Sequence, residues 1–309
     1  MTSVTRIAVI GECMVELNKN LNALEQSFGG DTLNTAVYLS RLTQQQGIST
    51  SYISALGHDP FSAEMLRAWN EEGIDTDLVK LSEHKLPGMY AIETAEDGER
   101  SFFYWRNDSA AKYWLKERDL VALTQQLRDY GMIYLSGISF AILSYTCREV
   151  LINMLTICRK SGVKIVFDNN YRPALWESIE AAQTCYQQIL AITDIAFLTF
   201  DDEQMLYGDD NEQQAIERTQ ALGVKEIVIK RGEQDCYVVM ADSMISVAPH
   251  YIDNVVDTTA AGDSFSAGYL AKRLLGGTPE ASALAGHTLA GTVIQHRGAV
   301  ISVDKMPTI

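Results

Sequence analysis

Apolar residues along this chain gather in short runs, each followed by a turn signal and then a longer stretch with helical spacing. Runs at 6–10, 52–56, 133–137, 163–167, 195–199 and 226–230 are almost wholly apolar. A strand covered on both faces reads this way, whereas a half-exposed strand alternates. Helix signals lie between the runs. Asp59-Pro60 places a cap before a proline, and Gly73 closes that segment. Ser144 caps a stretch running to residue 160, and Gly29-Gly30 leads into a helix with Val37, Leu39 and Leu42 on its apolar face. A helix over 264–275 stops at Gly276-Gly277, and another begins at Thr278-Pro279-Glu280 and runs through 295. Strands alternating with helices predict an α/β domain built on a mostly parallel sheet.

Two stretches break the pattern. Residues 13–17 alternate weakly, as a second short strand would. Residues 88–94 and 100–106 are strand-like and are joined across Asp97-Gly98, a hairpin signal. A two-residue turn would pair Tyr90 with Trp105. A three-residue loop, Glu96-Asp97-Gly98, pairs Tyr90 with Tyr104 and Gly88 with Arg106, with Gly98 at the left-handed position. The second register is preferred, because it gathers Tyr90, Tyr104 and Arg106 on one face. An ordinary amphipathic hairpin over the core is the plainer reading.

Composition narrows the class. With 309 residues, 47% hydrophobic and 21% charged, the chain has material for a full core. No apolar run is long enough to span a membrane, and residues 1–6 do not read as a signal peptide. The five cysteines (13, 147, 158, 185, 236) are scattered, with no C-x-x-C pair. They predict reduced thiols in the cytoplasm, not a disulfide frame or a zinc site. The net charge of −15 opposes nucleic acid and anionic membranes as partners. It also opposes anionic small ligands, so arginines near a site become informative. Gly11-Glu12-Cys13 after the first strand lacks the glycine spacing of a dinucleotide fold.

The candidate chemistry centres on the stretch from Val256 to Gly268. Small residues at Ala260, Ala261 and Gly262 let a ligand approach the backbone, and the helix that follows offers unpaired N–H groups to an anion such as phosphate. Asp263 in that turn would repel phosphate. Either it caps the helix, or it takes a proton from a hydroxyl that attacks a phosphoryl group.

The stretch Asp257-Thr258-Thr259-Ala260-Ala261-Gly262-Asp263 resembles the second signature of the PfkB (ribokinase-like) carbohydrate kinases, D-T-x-G-A-G-D. Gly29-Gly30-Asp31-Thr32-Leu33-Asn34-Thr35-Ala36 resembles the first, and Asp168-Asn169-Asn170-Tyr171-Arg172 the family's D-x-N-x-R element. The resemblance covers nearly the whole chain. It implies one ribokinase-like three-layer α/β/α domain over 1–309, with a small β lid formed by excursions near 12–29 and 86–107. It also implies ATP and Mg2+ as cofactors. Gly11-Glu12-Cys13-Met14 and Tyr104-Trp105-Arg106-Asn107 narrow it toward the members that phosphorylate a 2-keto-3-deoxy sugar acid on its terminal hydroxyl. By that resemblance Asp263 is the base, with Ala260, Ala261 and Gly262 forming an anion hole. Gly30, Asp31, Asn34, Tyr90, Tyr104, Arg106 and Arg172 would hold the substrate. Asn170, Arg172, Lys230, Gly232, Asp235, Ala260, Gly262 and Gly298 would serve the nucleotide, and Glu203 would order magnesium through water. Three departures are expected to matter. Ala260 replaces a usual glycine and fits there only with negative φ. Phe200 stands where the magnesium motif has Asn, and Asp235 where a second glycine is usual.

Two rivals remain: a kinase of a neutral sugar, and a sugar-acid sensor on an inactive scaffold. Arg106 on a lid strand argues against the first, and an intact Asp263 against the second. Partners are expected to be the sugar acid and ATP, with no nucleic acid or membrane and with room for a homo-oligomer.

Overall fold

In the computed structural model, which describes residues 5–20, 23–94 and 100–309, the expected strands form one nine-stranded sheet. From one edge its strands are Met244–Val247, Cys236–Val239, Glu226–Lys230, Ile195–Thr199, Lys164–Asp168, Met132–Ser136, Arg6–Ile10, Ser49–Ile53 and Ile74–Asp75. The seven strands from Glu226–Lys230 onward are parallel, and the first two are antiparallel to their neighbours.

Side-chain alternation divides the core between the two faces of this sheet. Ala8, Ile10, Ile133, Leu135, Ile165 and Phe167 point to one cluster, where helices Tyr145–Lys160 and Ile179–Leu190 pack. Ile7, Val9, Met132, Tyr134, Val166 and Phe197 point to the other. There helices Asp31–Thr43, Pro60–Glu71, Ala261–Leu274 and Pro279–Val293 pack. With both faces covered, the strands carry continuous apolar runs, and the result is three α/β/α layers. Asp59, Ser144 and Thr278 cap their helices as their positions predict; Asp59, for example, accepts from Ser62 N–H at 3.1 Å. The reading of the sequence passed over the antiparallel pair Cys236–Val239 and Met244–Val247 and the helices Leu120–Leu127 and Glu212–Ala221.

A separate four-stranded sheet orders Ala23–Gly29, Met14–Asn20, Gly88–Thr94 and Arg100–Trp105. Its central pair is parallel and its outer pairs are antiparallel. Tyr90 lies opposite Tyr104, the register that a three-residue loop requires. The loop itself, Glu96, Asp97 and Gly98, lies outside the described residues. Among the described residues no helix is long and apolar enough to cross a membrane.

Candidate active site

The parallel strands end on one rim, and the polar residues that follow them line a cavity of about 670 Å³ between the two sheets. This is where open α/β sheets collect ligands. The first strand, Arg6–Ile10, has neighbours on opposite sides and marks the switch in strand order. Gly30 opens the helix Asp31–Thr43 in extended backbone, and a Cβ there would meet the Glu12 carbonyl oxygen at 2.2 Å. That crossing admits only glycine.

The floor of the cavity is the turn before helix Ala261–Leu274. Asp257 ties it down, its carboxylate accepting from Thr259 N–H at 3.0 Å, Thr259 Oγ1 at 2.7 Å and Gly298 N–H at 2.9 Å. Ser264 N–H donates to Ala260 C=O, so the amides of Gly262 and Asp263 precede the helix's own ladder. Ala260 corrects the expectation of negative φ, because it sits at φ 59°, ψ 17°, in the left-handed region. An alanine there costs about 1 kcal/mol; the Asp257 bonds to Thr259 and Gly298 and the start of the helix impose the conformation regardless. Nor is Asp263 the cap, since Ala260 holds that position.

Asp263 Oδ2 accepts from Asn34 Nδ2 at 2.8 Å. Burial, reinforced by the nearby Asp31 carboxylate, pushes the Asp263 pKa from 3.8 up to about 7, against the lowering effect of the Asn34 bond. Lys230, at the end of its strand, donates to both oxygens of Asp168 at 3.0 and 2.8 Å. Asp168 also accepts from Tyr134 Oη at 3.2 Å and Ser266 Oγ at 2.8 Å. A Cβ on Gly262 would lie 3.5 Å from Lys230 Nζ, so the ammonium faces the open amide turn. Asn170, at φ 30°, donates to Asp31 Oδ2 at 2.6 Å.

Arg106 enters from the small sheet's side. It is buried, pairs with Glu12 and lies over the Tyr104 ring at 5.9 Å; its Nε is buried with no partner. Glu12 also accepts from Ser109. Tyr90 donates its hydroxyl to Glu16, which takes a second bond from Ser27 at 3.0 Å. Tyr104 is half exposed and stacks near Tyr90 at 5.7 Å. Arg172 differs from Arg106. Pro173 begins a short 3-10 turn behind it, and its guanidinium donates to Tyr171 C=O at 2.7 Å and to Asp202 at 3.5 Å, with about half of the side chain exposed.

Of the residues expected in the site, Gly30, Asp31, Asn34, Tyr90, Tyr104, Arg106, Asn170, Arg172, Lys230, Ala260, Ala261, Gly262 and Asp263 share this cavity. Gly232, Asp235 and Gly298 do not line it; Asp235 accepts from Ser246 at 2.7 Å, and Gly298 reaches the turn through Asp257. Glu203 is also outside the cavity. It is buried, with its oxygens taken by Asn169 at 2.9 Å and Arg218 at 2.7 Å. The sequence reading left out Glu12, Glu16 and Asp202 as site residues, and named Asp168 only as part of the D-x-N-x-R element. A carboxylate at or just beyond the end of a core strand, as at Asp168 and Glu12, is itself a signal that a buried donor must meet it.

This fold and this cavity are those of a carbohydrate kinase, and the chain belongs to the pfkB family carbohydrate kinases, whose model matches residues 4–306. It is 51% identical over 304 residues to the 2-dehydro-3-deoxygluconokinase of Dickeya dadantii (strain 3937), covering 97% of this chain and 98% of that one. It is 46% identical to the Haemophilus influenzae protein of the same name, over 96% of this chain and 95% of that one. The fold matches the crystal structure of a 2-dehydro-3-deoxygluconokinase from Thermotoga maritima with a TM-score of 0.84. That match covers 98% of this chain and 97% of the other at 20% identity, which speaks for the fold alone.

Proposed function

We propose that this chain transfers the terminal phosphoryl group of ATP to O6 of 2-dehydro-3-deoxy-D-gluconate, giving the 6-phosphate and ADP. The observation that carries the reading is the juxtaposition in one cavity of Asp263, beside an open amide turn and an ammonium, with the buried guanidinium of Arg106. The first group suits phosphoryl transfer to a hydroxyl, and the second suits an acid as acceptor. The curated relatives that match nearly the whole chain bear the name of this activity.

The chemistry is positioning and charge. Asp263 takes the proton of the attacking hydroxyl; a base with a pKa near 7 combines a usable ionised fraction with driving force. The Gly262 and Asp263 amides, aided by Lys230, meet the charge that develops on the transferred oxygens. Arg106 holds the substrate carboxylate with the donors that Glu12 leaves free, and Arg172 stands ready for the same group or for a phosphate. Tyr90 has committed its proton to Glu16, so its oxygen accepts from a substrate hydroxyl. Among the described residues no cluster of His, Cys, Asp or Glu forms a metal cage. Magnesium would therefore arrive with the nucleotide, keeping much of its water, and would supply charge neutralisation on the phosphates. The free cysteines fit a cytoplasmic setting.

A panel of sugar acids and neutral sugars with labelled ATP tests this reading. Phosphorylation confined to the 2-keto-3-deoxy acid supports it. Preference for fructose or ribose would overturn the acid assignment, and no turnover of any sugar would overturn the kinase.

A further inference from the structure

Asn34 offers two groups to the cavity, and only one of them is satisfied. Its Nδ2 donates to Asp263 Oδ2 at 2.8 Å, joining helix Asp31–Thr43 to helix Ala261–Leu274. Its Oδ1 is buried with no hydrogen-bond partner, on a side chain only 4% exposed that lines the cavity. A buried amide oxygen without a donor is uncommon, and at the wall of a binding cavity it points to a ligand that supplies one. The amide orientation follows from chemistry. With Asp263 ionised, the reverse arrangement would set Oδ1 against a carboxylate oxygen.

From this we infer that Asn34 is a positioning residue for Asp263, aiming the base while the other end of its amide serves the substrate contact that the family resemblance already implies. Its N–H group holds Oδ2 as an acceptor and leaves Oδ1 of Asp263 to receive the proton of the reacting hydroxyl. Its own Oδ1 accepts from a second hydroxyl of the same substrate, so docking of the sugar and aim of the base are set by one side chain. The inference rests on Asp263 being the base. A donated hydrogen bond favours the ionised carboxylate, in the direction found for Asn34 on Asp263. The other ionisable groups whose charge bears on Asp263 are Asp31 on the helix of Asn34, Asp168 and Lys230 at two strand ends, and Tyr134 and Tyr38. None of them is altered by substituting Asn34.

The test compares Asn34→Ala and Asn34→Gln with the unmodified chain and with Asp263→Asn. For Asn34→Ala, kcat should fall by roughly 10- to 100-fold. The acid limb of the kcat profile should move to higher pH by about half a unit or more. KM for the sugar acid should rise several-fold, and KM for ATP should hold. Asn34→Gln, which keeps the amide, should recover part of the limb shift. The Asp263 carboxyl resonance, titrated by 13C NMR without substrate, should show the same shift independently of turnover. An unmoved limb and resonance in Asn34→Ala, with Asp263→Asn inactive, would overturn the inference and leave the base assignment standing. An Asp263→Asn enzyme of near-normal activity would overturn both. Should Asn34→Ala not fold, Asn34→Leu, which keeps the volume and removes the donor, is titrated in its place: a carboxyl resonance displaced upward supports the amide's role, and one identical to that of the unmodified chain contradicts it.

Discussion

The two ends of the cavity are built differently. At the Asp263 end the charged side chains are held in a buried network: Asn34 to Asp263, Lys230, Tyr134 and Ser266 to Asp168, and Asp257 to its turn. At the other end the edge strand Arg100–Trp105 carries Phe102, Phe103, Tyr104 and Trp105, all more than 40% exposed. Tyr90 and Arg106 are anchored there, each by a glutamate near the start of the small sheet. The difference matches the demands on each end. Charge that develops during a reaction is stabilised only by dipoles already in place, whereas a sugar must first be admitted and fitted. We expect substitutions at the first end to act on kcat, and those at the second on KM and selectivity.

The largest effect should come from Asp263→Asn, with kcat lower by roughly 100-fold or more and both KM values within a few-fold. Steady-state kinetics within a few-fold of the parent would break the comparison at its first end. The same variant has a stability signature. The Asp263 pKa is raised in the folded chain to about 7 from 3.8, so the unfolded chain gives up its proton first as pH rises, and stability drains away between those values. Asp263→Asn removes the drain. It should unfold later than the parent in urea at pH 8, by on the order of 1 kcal/mol or more, and the gain should vanish below pH 4.

Next comes Arg106→Ala. Loss of a buried charge partner should cost about 2–4 kcal/mol in kcat/KM for the keto acid, with KM for ATP almost unchanged. Glu12 is then left buried without its cation, so melting temperature should drop as well. Arg172→Ala, with a half-exposed guanidinium, should cost less. The decisive measurement is the ratio of kcat/KM for the acid over its neutral analogue. If Arg106→Ala lowers both equally, Arg106 merely supports the small sheet and selection shifts to Arg172. The smallest effect belongs to Tyr104→Ala. KM for the sugar acid should rise by roughly 3- to 10-fold through lost ring contact, with kcat within about twofold. A kcat loss equal to that of Asp263→Asn would erase the distinction between the ends.

Much of this arrangement was legible in the chain. The doubly buried strands announced themselves as apolar runs, and the hairpin register with Tyr90 opposite Tyr104 was the one preferred because it gathers Tyr90, Tyr104 and Arg106 on one face. The residues around Asp263 could be singled out because small side chains and a carboxylate in one turn restrict what a backbone can bind, and Asn34 through the resemblance of its stretch to the first family signature. Pairings between distant segments were not legible. Nothing local to Arg106 names Glu12, 94 positions earlier, and nothing local to Glu203 says that Arg218 will occupy it. The conformation of Ala260 was misjudged for a related reason: intrinsic preference argued for negative φ, and the hydrogen bonds of Asp257 overrode it. Propensity is a local quantity, whereas burial and charge pairing are decided by the assembled layers.

The order of strands in the large sheet bears on how the chain is made. Starting from Arg6–Ile10, one side is finished early by Ser49–Ile53 and Ile74–Asp75. On the other side Met132–Ser136, Lys164–Asp168, Ile195–Thr199, Glu226–Lys230, Cys236–Val239 and Met244–Val247 follow in the order of translation. Each new strand emerging from a ribosome at roughly 5–20 residues per second finds its neighbour already in place as the current edge. The growing protein thus templates itself outward and never has to part strands already paired. The helix that brings Asp263 to Asn34 emerges after all the strands of the large sheet, so a nascent chain carries the sugar-holding residues well before it carries the residue proposed to use them.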